Sequence, residues 1–169
     1  MTVRIGDLLV RKGVLTGAQR DQVLAEQVRS GRPFGELAER LFGVTPPAIE
    51  QAWAEQYASI TRSVDPMAEQ AEAGALALID RRQAWQFRLI PLRFDGPELM
   101  VCTSQEHLVR ALKFLGWRVK ERCFFVLCDP LALGRALERY YPMPGMTAEM
   151  VAGKGLAVVS RAEEPAEQA

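Results

Sequence analysis

RIGDLLVRKGVLTGAQRDQVLAEQ, residues 4–27, and PFGELAERLFGVTPPAIEQAWAEQ, residues 33–56, are two copies of one 24-residue unit, offset by 29 positions and joined by a five-residue spacer. Eight of the 24 aligned pairs are identical, including Gly6/Gly35, Leu8/Leu37, Arg11/Arg40, Thr16/Thr45 and Ala25-Glu26-Gln27/Ala54-Glu55-Gln56. The mismatches Asp7/Glu36 and Asp21/Glu50 keep their charge. A solenoid needs about three or more units to bury a continuous core, so two copies read as one two-fold binding module.

Each copy spells a short helix followed by a long one. Thr16 with Gln19 three residues on is a capping box, which predicts a helix to about Arg29. Thr45 before Pro46, a residue preorganised for the first helical position, starts another that runs to about Ala58. Ile5 to Lys12 and Phe34 to Phe42 are the short helices, ended by Gly13 and Gly43. Residues 1–60 therefore form a four-helix unit of two tandem helical repeats.

Periodicity lapses over residues 61–74, where Asp65-Pro66 disfavours helix, and this stretch reads as a linker. Residues 75–141 read as a small α/β subdomain. Asp80 caps a short helix through Gln86, and strands 87–94 and 98–104 flank the turn Asp95-Gly96-Pro97. Ser104 caps a helix through about Leu115, a third strand spans Arg118 to Leu127, and Asp129-Pro130 opens a helix ending at Tyr140-Tyr141. The fold class is α+β with a three-stranded sheet. Residues 142–169, rich in Pro, Gly and Glu apart from the apolar run Leu156 to Val159, read as a mobile tail.

Composition narrows function. The chain has 169 residues, 49% of them hydrophobic, and 21 basic against 21 acidic side chains. That balance gives no global attraction to nucleic acid or an anionic membrane. No signal-peptide pattern opens it and no run approaches the roughly 18 apolar residues of a membrane span, so the expected setting is soluble and cytoplasmic, with no membrane insertion. Cys102, Cys123 and Cys128 lack CxxC spacing and His107 is the one histidine. This supply does not make a metal site, and the cysteines read as small hydrophobes buried in strands. No Ser/His/Asp or Cys/His set is visible, so the chain reads as a non-enzyme with no catalytic residues and no cofactor.

Helical stacking puts Arg20, Val23, Leu24 and Gln27 on one face of the first long helix, and Ile49, Ala52, Trp53 and Gln56 on the matching face of the second. Each apolar stripe ends in a glutamine. A glycine near the start of each short helix removes a Cβ where an anion approaches exposed amides. The combination points to a symmetric ligand with flat apolar faces and phosphates.

The pattern Arg-apolar-Gly, then Leu-Val, Gly, an apolar pair and a final Leu-x-x-Gln resembles the tandem motif of the MshEN-type domain, found at the N-terminus of type II secretion and type IV pilus assembly ATPases. Residues 75–141, from ALALIDRRQAWQFRLIPLRFDG through RALERYY, resemble the subdomain that follows it there. The phosphate-cradling GxxxxGK[ST] loop of an ATPase does not occur in the sequence. The resemblance implies binding of cyclic di-GMP, with Arg4, Ile5, Gly6, Leu24 and Gln27 of the first motif and Phe34, Gly35, Ile49, Trp53 and Gln56 of the second as ligand residues. Arg20 stands where the family usually has leucine, but its guanidinium plane suits a base, so it joins the set. Pro33 replaces the leading basic residue, with Arg32 one position earlier, and Gly43 is shifted by one. Two readings follow from the resemblance. One is a regulatory or adaptor module of a secretion or pilus system that binds cyclic di-GMP. The other is a protein-protein interaction module that docks on an inner-membrane assembly component without nucleotide.

Overall fold

The computed structural model describes residues 3–153, and the backbone separates into two compact units with the boundary between Thr61 and Arg62. In the first unit, α1 (Ile5–Arg11), α2 (Gly17–Ser30), α3 (Phe34–Phe42) and α4 (Pro46–Ile60) repeat the short-long pattern of the sequence. Its buried cluster is built from equivalent positions of the two copies: Leu8 with Leu37, Leu9 with Ala38, Leu15 with Val44, and Val23 with Ala52. Phe34 is buried as well, while its counterpart Ile5 is only partly so. Helix α1 packs on α4 and α3 on α2. Each short helix thus covers the long helix of the other copy, which is why two copies suffice to close a core.

The caps differ between copies in a testable way. Thr16 Oγ1 accepts the Gln19 N–H at 3.1 Å and Gln19 Oε1 accepts the Thr16 N–H at 2.9 Å. Thr45 makes no side-chain cap bond, Pro46 and Pro47 fill the first two helical positions, and Ala48, standing where Gln19 stands in the first copy, has no side chain to return the second bond of a capping box. Thr16→Ala is therefore expected to cost about 1 kcal/mol, against a few tenths (~0.3 kcal/mol) for Thr45→Ala with its cap bond already absent. Urea midpoints of the two variants check the difference.

The second unit carries α5 (Ala73–Leu76), α6 (Arg81–Phe87), β1 (Leu89–Asp95), β2 (Glu98–Thr103), a 3₁₀ turn (Gln105–His107), α7 (Leu108–Arg118), β3 (Arg122–Leu127), α8 (Pro130–Tyr140) and α9 (Ala148–Val151). The sheet order is β1-β2-β3, antiparallel between the first pair and parallel between the second. Parallel pairing requires a crossover, which α7 provides. Leu89 to Leu92 and Leu99 to Thr103 are buried without alternation, the mark of a sheet covered on both faces.

Three expectations need correction. The stretch 61–74 is bonded into the second unit: Val64 N–H donates to Leu127 O at 2.8 Å, Leu127 N–H to Arg62 O at 3.1 Å, and Glu72 N–H to Leu92 O at 2.7 Å. A three-stranded sheet has two open edges, and this segment covers part of each, the Glu72 bond meeting the irregularity of β1 between Pro91 and Arg93. The tail does not begin at Pro142. Residues 142–153 return to place α9 on α8, where Ala148 N–H donates to Glu138 Oε1 at 2.7 Å and Ala148 and Val151 are buried. The remainder of the expected tail, with Leu156 to Val159, lies outside the described residues. Finally, α7 runs to Arg118 and β3 starts at Arg122, with Trp117 of the added turn edge-on to Phe114 at 5.2 Å.

Cys102 is buried, whereas Cys123 and Cys128 are half-buried, and the sulfurs of Cys102 in β2 and of Cys128, one residue past β3, lie 3.5 Å apart. Tyr141 ties the unit together, its carbonyl accepting Trp85 Nε1–H at 2.7 Å and its hydroxyl donating to Leu76 O at 2.6 Å.

Candidate functional site

The first unit has a cleft of about 470 Å³ lined by Arg4, Ile5, Gly6, Asp7, Arg20, Asp21, Leu24, Gln27, Phe34 and Gln56. Small-molecule sites typically measure about 300–1,000 Å³. Arg4 is the residue preceding α1, in extended backbone, so its side chain leaves from the helix entrance. Arg20, Leu24 and Gln27 are successive turns of one face of α2. Phe34 opens α3, and Gln56 comes from α4, about three turns past Thr45.

Within this cleft the polar groups divide into engaged and unengaged. Arg20 Nη1 lies 3.1 Å from Asp7 Oδ1, and its Nε and Nη2 each lie 3.1 Å from Asp21 Oδ1. The hydrogen bond and charge of Asp21, then Asp7, hold the Arg20 pKa above its ordinary value. By contrast Arg4 is exposed and has no ion pair or hydrogen bond from its side chain among the described residues, and neither do the half-buried amides of Gln27 and Gln56. Leu24 is 38% exposed and gives the cleft an apolar wall beside them. Arg4, Arg20, Asp7 and Asp21 sum to zero formal charge, with Arg4 the cation that is not already answered.

Of the eleven residues expected at a ligand site, Arg4, Ile5, Gly6, Arg20, Leu24, Gln27, Phe34 and Gln56 line this cleft, while Gly35, Ile49 and Trp53 do not. Packing between α3 and α4 accounts for the first two. A Cβ on Gly35 would stand 2.8 Å from Ile49 Cγ2, so Gly35 exists to let α3 approach α4, and Ile49 packs on the core. Trp53 is half-buried, with its ring 5.5 Å from that of Tyr57. Gly6 is used similarly: its missing Cβ is filled by Phe34 Cζ at 3.0 Å and Arg20 Cγ at 3.1 Å, not left open to an anion. Arg32, the stand-in for the basic residue absent at Pro33, is paired with Glu36 at 3.1 Å and does not line the cleft. Asp7 and Asp21 are the cleft residues missed in the sequence. Their retention of charge at both repeat positions was the signal.

Elsewhere, no group of three or more His, Cys, Asp or Glu side chains among the described residues is placed to hold a metal ion, and none of the described helices is long and apolar enough to cross a membrane. Ser104 Oγ meets His107 Nδ1 at 2.6 Å, but Ser104 is 1% exposed, so its hydroxyl closes the 3₁₀ turn and does not face a substrate.

The family model of the MshEN domain matches residues 56–147, more than half of the chain; of the cleft residues only Gln56 falls within the match. The type IV pilus assembly ATPase PilB of Myxococcus xanthus is 24% identical over 157 residues, which cover 90% of this chain and 27% of that protein. PilB of Thermus thermophilus is 25% identical over 157 residues, covering 90% of this chain and 17% of the relative. The chain thus spans 17 to 27% of the length of these curated relatives. Among solved structures, MshE with cdg is similar with a TM-score of 0.46 at 24% identity, over 82% of this chain and 99% of that one. The N-terminal domain of XpsE has a TM-score of 0.45 at 19% identity, over 82% of this chain and 94% of its own.

Proposed function

The chain belongs to the MshEN domain family, and on that premise we propose that it is a non-catalytic regulatory or adaptor module of a type II secretion or type IV pilus system, binding cyclic di-GMP in the cleft of its helical unit. The observation that carries this reading is the set of unengaged polar groups, Arg4, Gln27 and Gln56, beside the apolar Leu24 and Phe34 in one cleft. A free guanidinium suits a phosphate or the O6/N7 edge of guanine, the two amides both donate and accept, and an apolar wall takes a base face. Isothermal titration of about 100 μM protein with the nucleotide tests it, and saturable heat is expected for a dissociation constant at or below that concentration. Absence of heat would remove the nucleotide from the reading.

The two carboxylates set the strength of binding. Asp7 and Asp21 occupy Arg20 and repel phosphate, so Asp7→Asn with Asp21→Asn is expected to tighten cyclic di-GMP binding by roughly three- to tenfold, given the modest worth of exposed ion pairs. A weaker complex would instead assign the carboxylates to the donor edge of guanine.

One observation favours the reading without nucleotide: Arg20 is already held by two carboxylates and the cleft is neutral. In that case the module docks on the cytoplasmic part of an inner-membrane assembly protein. The arms separate by mutation, since an Arg4→Ala, Gln27→Ala double variant that keeps every partner in a pull-down places docking outside the cleft.

A further inference from the structure

Arg88 is the one non-glycine residue among those described with a positive φ, 55°. It ends α6, and its carbonyl accepts the Thr103 hydroxyl at 2.7 Å, which ties it to the last residue of β2. Left-handed backbone is disfavoured for a residue with a Cβ, and such outliers gather at functional sites. The Arg88 guanidinium lies over the Trp85 ring at 5.9 Å, and its Nη1 is buried with no hydrogen-bond partner, the one such buried side-chain nitrogen or oxygen among the described residues. A buried donor left unpaired is rare and calls for a missing partner.

Two other basic side chains lie in the same corner. Phe87, the neighbour of Arg88, carries the Arg110 guanidinium 5.7 Å from its ring centre. Arg110 lies one turn along from His107, whose Nδ1 meets Ser104, the residue after Thr103. The corner thus collects two guanidinium groups and an imidazole from the α6–β1 junction, the 3₁₀ turn and the first turn of α7. Neither arginine has a carboxylate ion pair among the described residues, and the acid that acts on His107 is the exposed Glu106. Burial, then the charge of Arg110, holds the Arg88 pKa below its ordinary value. Burial, then Arg88, lowers that of His107. Burial and neighbouring positive charge thus disfavour the charged forms of Arg88 and His107, with no carboxylate ion pair to offset them.

We propose that this corner of the second unit is an oxyanion site that takes a phosphate group, with Arg88 Nη1 and the Arg110 guanidinium as its donors. It is separate from the cleft of the helical unit and stands whether or not that cleft binds a nucleotide. Charge balance selects phosphate over carboxylate: a phosphate monoester carries about −1.5 to −2 and answers both arginines, where a carboxylate answers one. An aromatic path leads away from Arg110, with Phe87 stacked on Phe114 at 4.1 Å and Phe114 edge-on to Trp117, which is 70% exposed. An ester that carries a base beside its phosphate has a surface there.

The test is a titration of the whole chain, followed by ¹H–¹⁵N spectra at constant ionic strength, with inorganic phosphate in one arm and adenosine monophosphate in the other. Saturable shifts at Arg88, His107 and Arg110 are expected in both arms with dissociation constants of about a millimolar, accompanied by a rise of the His107 pKa. Tighter binding of the monophosphate, with quenching of emission that Trp117→Phe abolishes, assigns the site to a base-bearing ester. Equal binding assigns it to the bare phosphate group. Arg110→Gln, at an exposed position, and Arg88→Gly, which suits the left-handed backbone, are each expected to weaken binding roughly tenfold or more, as loss of a charged hydrogen bond does. The proposal is overturned by the absence of saturable shifts up to ~50 mM phosphate, or by unchanged affinity in both variants.

Discussion

Replacing Arg4 by alanine is expected to weaken cyclic di-GMP binding by roughly 10- to 100-fold, while Arg32→Ala leaves it within about twofold. The two arginines stand close to equivalent places in the two copies, yet their surroundings differ. Arg4 lines the cleft without an ion pair among the described residues, so all of its donors are available to a phosphate or a guanine edge. Arg32 is engaged by Glu36 and lies outside the cleft lining. A hydrogen bond to a charged group is worth about 1.5–3 kcal/mol, and each 1.4 kcal/mol is about tenfold in affinity, which sets the expected range for Arg4. Calorimetric titration of both variants checks it. Equal losses would mean that the second copy holds the ligand as much as the first.

That inequality was partly legible in the residues. The repeat predicted four helices, and its matching apolar positions, Leu8/Leu37, Leu9/Ala38, Leu15/Val44 and Val23/Ala52, became the core because helical period and repeat period agree on which face is buried. The caps Thr16, Asp80 and Asp129 were readable for the same reason, being local chemistry that does not wait for a neighbour. The two glutamines do meet in one cleft. Gly35, Ile49 and Trp53 stay outside its lining, although repeat symmetry assigns equal roles to equal positions. Side-chain volume breaks that symmetry: Ile49 fills the gap at Gly35 where Arg20, its counterpart, leans past Gly6 toward two aspartates. Helix α9 was hidden for a different reason. Four residues carry no periodic signal, and this helix is placed by its packing on α8.

That contact yields the largest expected change in stability. Gly134 sits inside α8, where alanine would normally gain about 1 kcal/mol from helix propensity. A Cβ there would stand 2.5 Å from the Ala148 carbonyl oxygen and 2.6 Å from its Cα, and these are backbone atoms that no rotamer change can move aside. Either α8 and α9 separate or the bond from Ala148 N–H to Glu138 and the burial of Ala148 and Val151 are lost. Overpacking costs about 1–3 kcal/mol where side chains yield; a backbone clash belongs at or above the top of that range, so the clash outweighs propensity. Gly134→Ala is expected to destabilise the chain by about 2 kcal/mol net and to open the segment after Tyr141 to protease. Gly116, inside α7 with nothing within 4 Å of its added Cβ, is the control. Gly116→Ala is expected to stabilise by about 0.5–1 kcal/mol, so urea unfolding of the two variants should move in opposite directions. If Gly134→Ala also stabilises, α9 does not press on α8 in solution, and the segment from Pro142 behaves as the tail its composition suggested.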